Sequence, residues 1–186
     1  MNNIVEPTKP RAGFTGCLAG KPFSAVFSLS GASDHEPNHI AVSRMVRDNL
    51  GSTRTDAAGN QYSWILDCAK QRTIFLDHLR RLAIVIPIAL QDSSSTIGFK
   101  KYPRPTHETA TILNITCQKI LLFEDKAATR NIGEVWIAEE LAVVLRDVES
   151  SDAGSSKWEM VSIKFAEPSK SSFEIPSNYQ QLPTRP

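Results

Sequence analysis

At 186 residues the chain has the length of one domain, which buries roughly 70% of the surface that its unfolded form exposes. Its 41% hydrophobic and 22% charged residues exclude a disordered chain. A formal charge of +1, from 21 Lys and Arg against 20 Asp and Glu, leaves no overall field to draw in nucleic acid or anionic lipid, and no nucleic-acid partner is expected.

Residues 1–20 mix Pro7, Pro10, Gly13 and Gly16 with polar residues and are expected to be a flexible segment. They hold no continuous apolar run, so no signal peptide is read in the chain as given. A strand is expected from Pro22 to a turn cluster at Gly31-Ala32-Ser33-Asp34. Ile40, Val42, Arg44 and Val46 alternate with their neighbours as a second strand. Asp48-Asn49-Leu50-Gly51 reads as a tight turn, and Thr53, Arg54 and Thr55 resume extended structure. Tyr62, Trp64 and Leu66 share one face of the next strand, residues 67–71 turn, and 73–77 and 82–88 are strand-forming. The apolar run 82–90 holds Pro87 and is far shorter than the ~20 residues that a membrane helix needs, so no transmembrane segment is read.

Residues 92–95 and 103–106 bracket a loop-rich stretch in which the signals for helix and strand are both weak. An apolar run then extends from Ile112 to Phe123, followed by a polar break over 124–131 and a strand around Trp136. Residues 139–149 fit either period; a strand that points Leu141, Val143 and Leu145 one way is chosen, because a hairpin loop and a β run over 157–165 follow. In that run Val161, Ile163 and Phe165 are expected on one face. Phe173 and Ile175 add an anchor, and residues 176–186 read as a partly ordered tail. The expected fold is mainly β: a single curved antiparallel sheet, an open half-barrel with at most one or two short helices. It occupies residues 21–180 as one domain around one interior, with 181–186 as a tail.

His35-Glu36-Pro37-Asn38-His39 matches the H-E-x-x-H pattern of zinc proteases. That chemistry needs a helix that sets both histidines on one face, and Pro37 inside a helix costs about 3 kcal/mol or more. A solvated turn is expected there instead, with no metal and no cofactor. His78 beside Asp77 and His107 beside Glu108 are strand neighbours that point to opposite faces, so adjacency makes no dyad of either pair. Both histidines read as surface residues, and a pairing of Cys117 with His107 has nothing specific to recommend it. No catalytic residue is expected. Cys17, Cys68 and Cys117 allow one bridge at most, with Cys68 and Cys117 read as buried free thiols.

Five phrases in order resemble a family of uncharacterised exported proteins common in acidobacteria. They are Pro22-Phe23-Ser24-Ala25; Val46-Arg47-Asp48 with Gly51 and Arg54; Ile74-Phe75-Leu76-Asp77; Gly133-Glu134-Val135-Trp136; and Ala166-Glu167-Pro168 leading to Phe173-Glu174-Ile175-Pro176 and Tyr179. Such sequences look like distant members of the lipoprotein-carrier (LolA/LolB-like) architecture, which implies a curved sheet, a periplasmic or cell-envelope location and a hydrophobic small molecule, an acyl chain or an envelope protein as partner. Cys68 and His78 depart from the family pattern, standing where a proline after aspartate is usual.

The function expected is a non-enzymatic envelope protein that binds a lipid-like or peptide ligand on a concave face involving Tyr62, Trp64, Trp136 and Trp158. Two alternatives are an interaction or scaffold module that pairs through a sheet edge, and a zinc-dependent hydrolase acting through His35, Glu36 and His39.

Overall fold

Alternating side chains punctuated by short polar turns produce a run of hairpins. The computed structural model describes residues 17, 19–33, 36–88, 102–151 and 154–182. The strands are β1 (Phe23–Ser33), β2 (Glu36–Arg47), β3 (Thr53–Asp56), β4 (Tyr62–Asp67), β5 (Arg72–Asp77) and β6 (Leu82–Pro87). They continue as β7 (Tyr102–Ile112), β8 (Ile115–Phe123), β9 (Asn131–Ala138), β10 (Val143–Ser151), β11 (Gly154–Lys164) and β12 (Gln180–Leu182). All belong to one open sheet in the order β12-β6-β5-β4-β3-β2-β1-β11-β10-β9-β8-β7. Two antiparallel meanders, β1 to β6 and β7 to β11, meet where β1 pairs with β11, and β12 adds a parallel strand beside β6. The expected mainly β, open, curved sheet is what forms. The helical segments described in full are single 3-10 turns, at Ala58–Asn60, Glu139–Leu141 and Lys170–Phe173.

Two successive turns share one chemistry. Asp67 accepts the N–H of Lys70 at 3.1 Å, and Asp77 accepts that of Arg80 at 2.9 Å. Each turn closes on a left-handed residue, Gln71 (φ 49°) and Arg81 (φ 54°). Cys68 and His78 therefore occupy equivalent positions, each directly after the turn aspartate.

The apolar side chains form two clusters rather than one interior. In the first, Phe23, Ala25 and Phe27 of β1, Met45 of β2 and residues of β7 to β11 pack together, with Phe27, Cys117 and Leu145 at 0% exposure. In the second, Ile65, Ile74, Leu76 and Ala83 of β4 to β6 pack under Phe173, with Ile175 and Tyr179 beside them. Register assigns these to opposite faces. Met45 pairs with Thr55, which pairs with Trp64, so the side of Met45 carries Trp64 and Leu66, whereas Ile65 points the other way. The side that holds the first cluster is called the inner face and the side that holds the second the outer face.

Other expectations are revised. Residues 36–39, expected in a turn, are the start of β2, where Gly31 pairs with His39; His35 lies outside the described residues. Residues 103–106, left unassigned from the sequence, lie in β7, while 92–95 lie outside the described residues. The tail is tied down as far as Leu182 by β12. On β11, a register shift opposite Val26 and Phe27 places Met160 and Ile163 inward, so Val161, 47% exposed, does not share a face with Ile163; Phe165, 39% exposed, lies just beyond the end of the strand. Leu141, Val143 and Leu145 are all buried, as expected, with Leu141 on a 3-10 turn that precedes β10.

Cys68 is not free. It forms a disulfide with Cys17, fastening the segment before β1 to the β4–β5 turn, and Cys117 alone remains a buried free thiol. That fastened segment passes over Arg47, a fully buried side chain. Arg47 donates to the carbonyls of Leu141 (2.5 Å) and Lys21 (3.1 Å), and its guanidinium lies 5.2 Å from the Phe23 ring centre. Burial lowers its pKa, partly offset by Asp48. A Cβ at Gly20 would come within 2.3 Å of the guanidinium, so only glycine lets the segment lie this close.

Candidate functional site

The inner face differs between its two ends. At the β1–β2 and β7–β11 end it is filled by the first cluster. On β4 to β6 it carries Tyr62 and Trp64, Phe75 directly opposite Trp64, and Ile84 opposite Phe75. The rings touch: Tyr62 stacks on Phe75 at 5.5 Å between centres, Trp64 tilts against Phe75 at 5.3 Å, and Tyr62 lies 6.5 Å from Trp64. Trp64 is nonetheless 41% exposed. On the same face, Leu29 of β1 pairs with Trp158 of β11 and is 44% exposed, and Trp158 stacks on Phe27 at 4.0 Å.

Tyr62 and Trp64 are thus brought into one aromatic group, and Trp158 shares their face four strands away. Trp136 sits deeper, 9% exposed within the first cluster. Its Nε1–H donates to Glu134 at 3.0 Å, and Lys119 bridges Glu134 (2.9 Å) and Glu108 (3.2 Å) while lying 5.6 Å from the Trp136 ring centre. The bond from Trp136 and the pairing with Lys119 hold the Glu134 carboxyl below the ordinary glutamate range. Phe75 and Leu29 were not singled out from the sequence; the alternation of β5 and a register counted back from the turn at residues 67–71 place Phe75 beside Trp64.

The opposite face of the same arm holds a polar relay. Ser63 Oγ lies 2.5 Å from Asp56 Oδ1 and 2.6 Å from His78 Nε2, and His78 Nδ1 lies 2.5 Å from the Tyr179 hydroxyl. Arg54 donates to Asp56 at 2.7 Å and to the Ser172 carbonyl at 3.3 Å. The carboxylate only accepts, so Ser63 donates to Asp56, His78 Nε2–H donates to Ser63, and Tyr179 donates to Nδ1. The serine proton is directed at the carboxylate and not at the imidazole, and Ser63 is 0% exposed, which is the wrong arrangement for a nucleophile. His78, read from the sequence as a surface residue, is half-buried and bonded on both ring nitrogens.

The remaining candidates stay apart. The backbone of Glu36 and His39 is extended within β2, so the helical geometry of H-E-x-x-H is not formed there, and the described residues contain no group of three metal-ligating side chains. His107 is exposed, whereas Cys117 turns inward, where burial raises its pKa and its thiol donates to the Ile115 carbonyl. Both edges are blunted: β7 carries Pro103 and Pro105 and a register shift before Thr109, and β12 spans only Gln180–Leu182. No helix among the described residues is long and apolar enough to cross a membrane.

No family model and no curated protein matches this sequence. Solved structures do match. An uncharacterized conserved protein from Thermus thermophilus superposes with TM-score 0.57 at 11% identity, over 88% of this chain and 90% of that one. PNGF-II matches with TM-score 0.51 at 18% identity over 88% of this chain but 31% of its own. The likeness is one of fold alone. A LolA superfamily protein from Nitrosomonas europaea aligns over 84% of this chain and 91% of its own, but its TM-score of 0.32 at 8% identity is too low to carry an argument.

Proposed function

We propose that the protein is a non-enzymatic binding protein of an oxidising envelope compartment, and that it takes a lipid-like or peptide ligand on the open part of its inner face. The observation that carries this reading is the half-exposed aromatic group of Tyr62, Trp64 and Phe75, facing the same side as Leu29 and Trp158. Half-exposed apolar surface backed by paired strands suits a flexible apolar chain. The Cys17–Cys68 bridge and the resemblance to exported proteins support the compartment.

Titration with an environment-sensitive fatty-acid probe tests the reading. Saturable uptake is expected, with Trp64→Ala weakening it about tenfold while changing stability by less than about 1 kcal/mol. Trp136→Ala is expected to cost about 3 kcal/mol or more, because its ring belongs to the packed cluster. No uptake at saturating probe, or equal uptake by Trp64→Ala, sinks the assignment of the ligand face.

A further inference from the structure

Register sets two rows of side chains across the inner face from β2 to β5. Met45, Thr55, Trp64 and Phe75 form one, in which Trp64 is exposed and Thr55 and Phe75 are half-buried. Two residues along each strand, about 7 Å away, Arg47, Thr53, Leu66 and Thr73 form the next, and all four are buried. The segment before β1 lies against that second row, with Gly20 on the Arg47 guanidinium, and the Cys17–Cys68 bridge fastens it two residues beyond Leu66.

Arg47 is a costly group to cover. Its two bonds go to neutral carbonyls, its Nε–H has no acceptor among the described residues, and Asp48 commits its own Oδ1 to the N–H groups of Leu50 and Ser52. A buried cation in this state gains water or an anion when it is uncovered. The cover itself is slight, since Cys17, Ala19 and Lys21 are exposed. Besides the bridge, its ties among the described residues are the Gly20 N–H on the Asn49 carbonyl at 3.3 Å, the Arg47 bond to Lys21, and Lys21 Nζ 3.9 Å from the Phe165 ring centre. Such ties are weak beside the entropy lost in ordering the segment, so the bridge decides whether it stays.

We propose that residues 19–22, fastened at Cys17, are a redox-released cover, and that the uncovered Arg47 guanidinium binds the anionic end of an amphiphile whose apolar chain lies on Tyr62, Trp64 and Phe75. A dithiol reductant opens it. One thiolate attacks Sγ of the exposed Cys17, Cys68 leaves as thiolate, and the second thiol displaces Cys17; two electrons and two protons pass to the two cysteines, and the dithiol ends as a disulfide. The anionic subsite deepens the ligand reading above and rests on it, whereas the cover is testable without any ligand.

Phenylglyoxal labelling of arginines, read by mass spectrometry, tests the cover. Arg47 is expected to react about tenfold faster in dithiothreitol-reduced protein and in Cys17→Ser than in the bridged parent, with amide protection of the buried Ile65 and Leu145 retained. Equal reactivity in all three overturns the cover, and so does loss of that protection, because the bridge then holds the fold. A dansyl-labelled undecanoate and its methyl ester read the subsite. The bridged parent is expected to bind the two alike and the reduced protein to bind the acid about tenfold tighter. Arg47→Gln, or phenylglyoxal treatment of the folded reduced protein, is expected to remove that preference. A preference that does not arise on reduction, or that survives loss of the Arg47 charge, overturns the subsite. Faster labelling with no uptake of either probe overturns the ligand face and leaves the cover standing.

Discussion

The two arms of the sheet obey the same alternation and bury opposite faces. From β7 through β11 to β1 the inner side is sealed by Phe27, Cys117, Leu145 and Met160, whereas from β4 to β6 the sealed side is the outer one, under the C-terminal segment. β2 is the hinge of this exchange: Met45 joins the inner cluster and its neighbour Val46 packs on the outer one. The contrast explains why large aromatics survive half-exposed on β4 and β5. The outer side supplies much of that arm's core, so Tyr62, Trp64 and Phe75 on the inner side need not be sealed, although Leu66 on the same face is buried.

The severest test of the comparison is truncation on each side. Phe27→Ala on the inner cluster is expected to lower stability by about 3–5 kcal/mol, and Ile74→Ala on the outer one by about 2–5 kcal/mol, measured by chemical denaturation. If either costs less than about 0.5 kcal/mol, that face is not a core and the two-sided description fails. Next in size is the bridge between the segment before β1 and the β4–β5 turn. Closing a loop with sequence separation 51 is worth about 4 kcal/mol in the chain-entropy description, so Cys17→Ser and reduction of the parent are expected to give matching losses of that order. A loss on reduction that Cys17→Ser does not reproduce would point away from the bridge.

The smallest expected effect is electrostatic and sharpens the picture of the filled end. Glu134 titrates below the ordinary glutamate value through its bond from Trp136 and its pairing with Lys119. A depressed carboxylate contributes stability that is complete above its unfolded value of about 4.3 and is lost as pH falls through the folded value. Stability is therefore expected to fall with acid in that window, and Glu134→Gln to flatten the slope there. An unchanged slope in the variant removes Glu134 from the account.

Much of the fold was legible because strand alternation and turn chemistry are local. Tyr62, Trp64 and Leu66 on one face, the turn at 67–71, and the strand choice for Val143 and Leu145 all follow from residues within one or two hairpins. The relay was not legible. Ser63, His78 and Tyr179 are separated by 15 and 101 positions, and nothing local distinguishes a bonded histidine from a solvated one. Cys68 and His78 did stand out as departures from the resembling family, each following a turn aspartate. The structure shows what those positions do: one fastens the segment before β1, the other the segment after β11.

The amino-acid sequence by itself determined that this chain is strands and hairpins, because side-chain period and turn residues act over a few positions. Which face of each strand became interior, which cysteine found a partner and where the last residues docked were decided only by the tertiary structure. Alternation marks two faces but does not say which one the rest of the chain will cover.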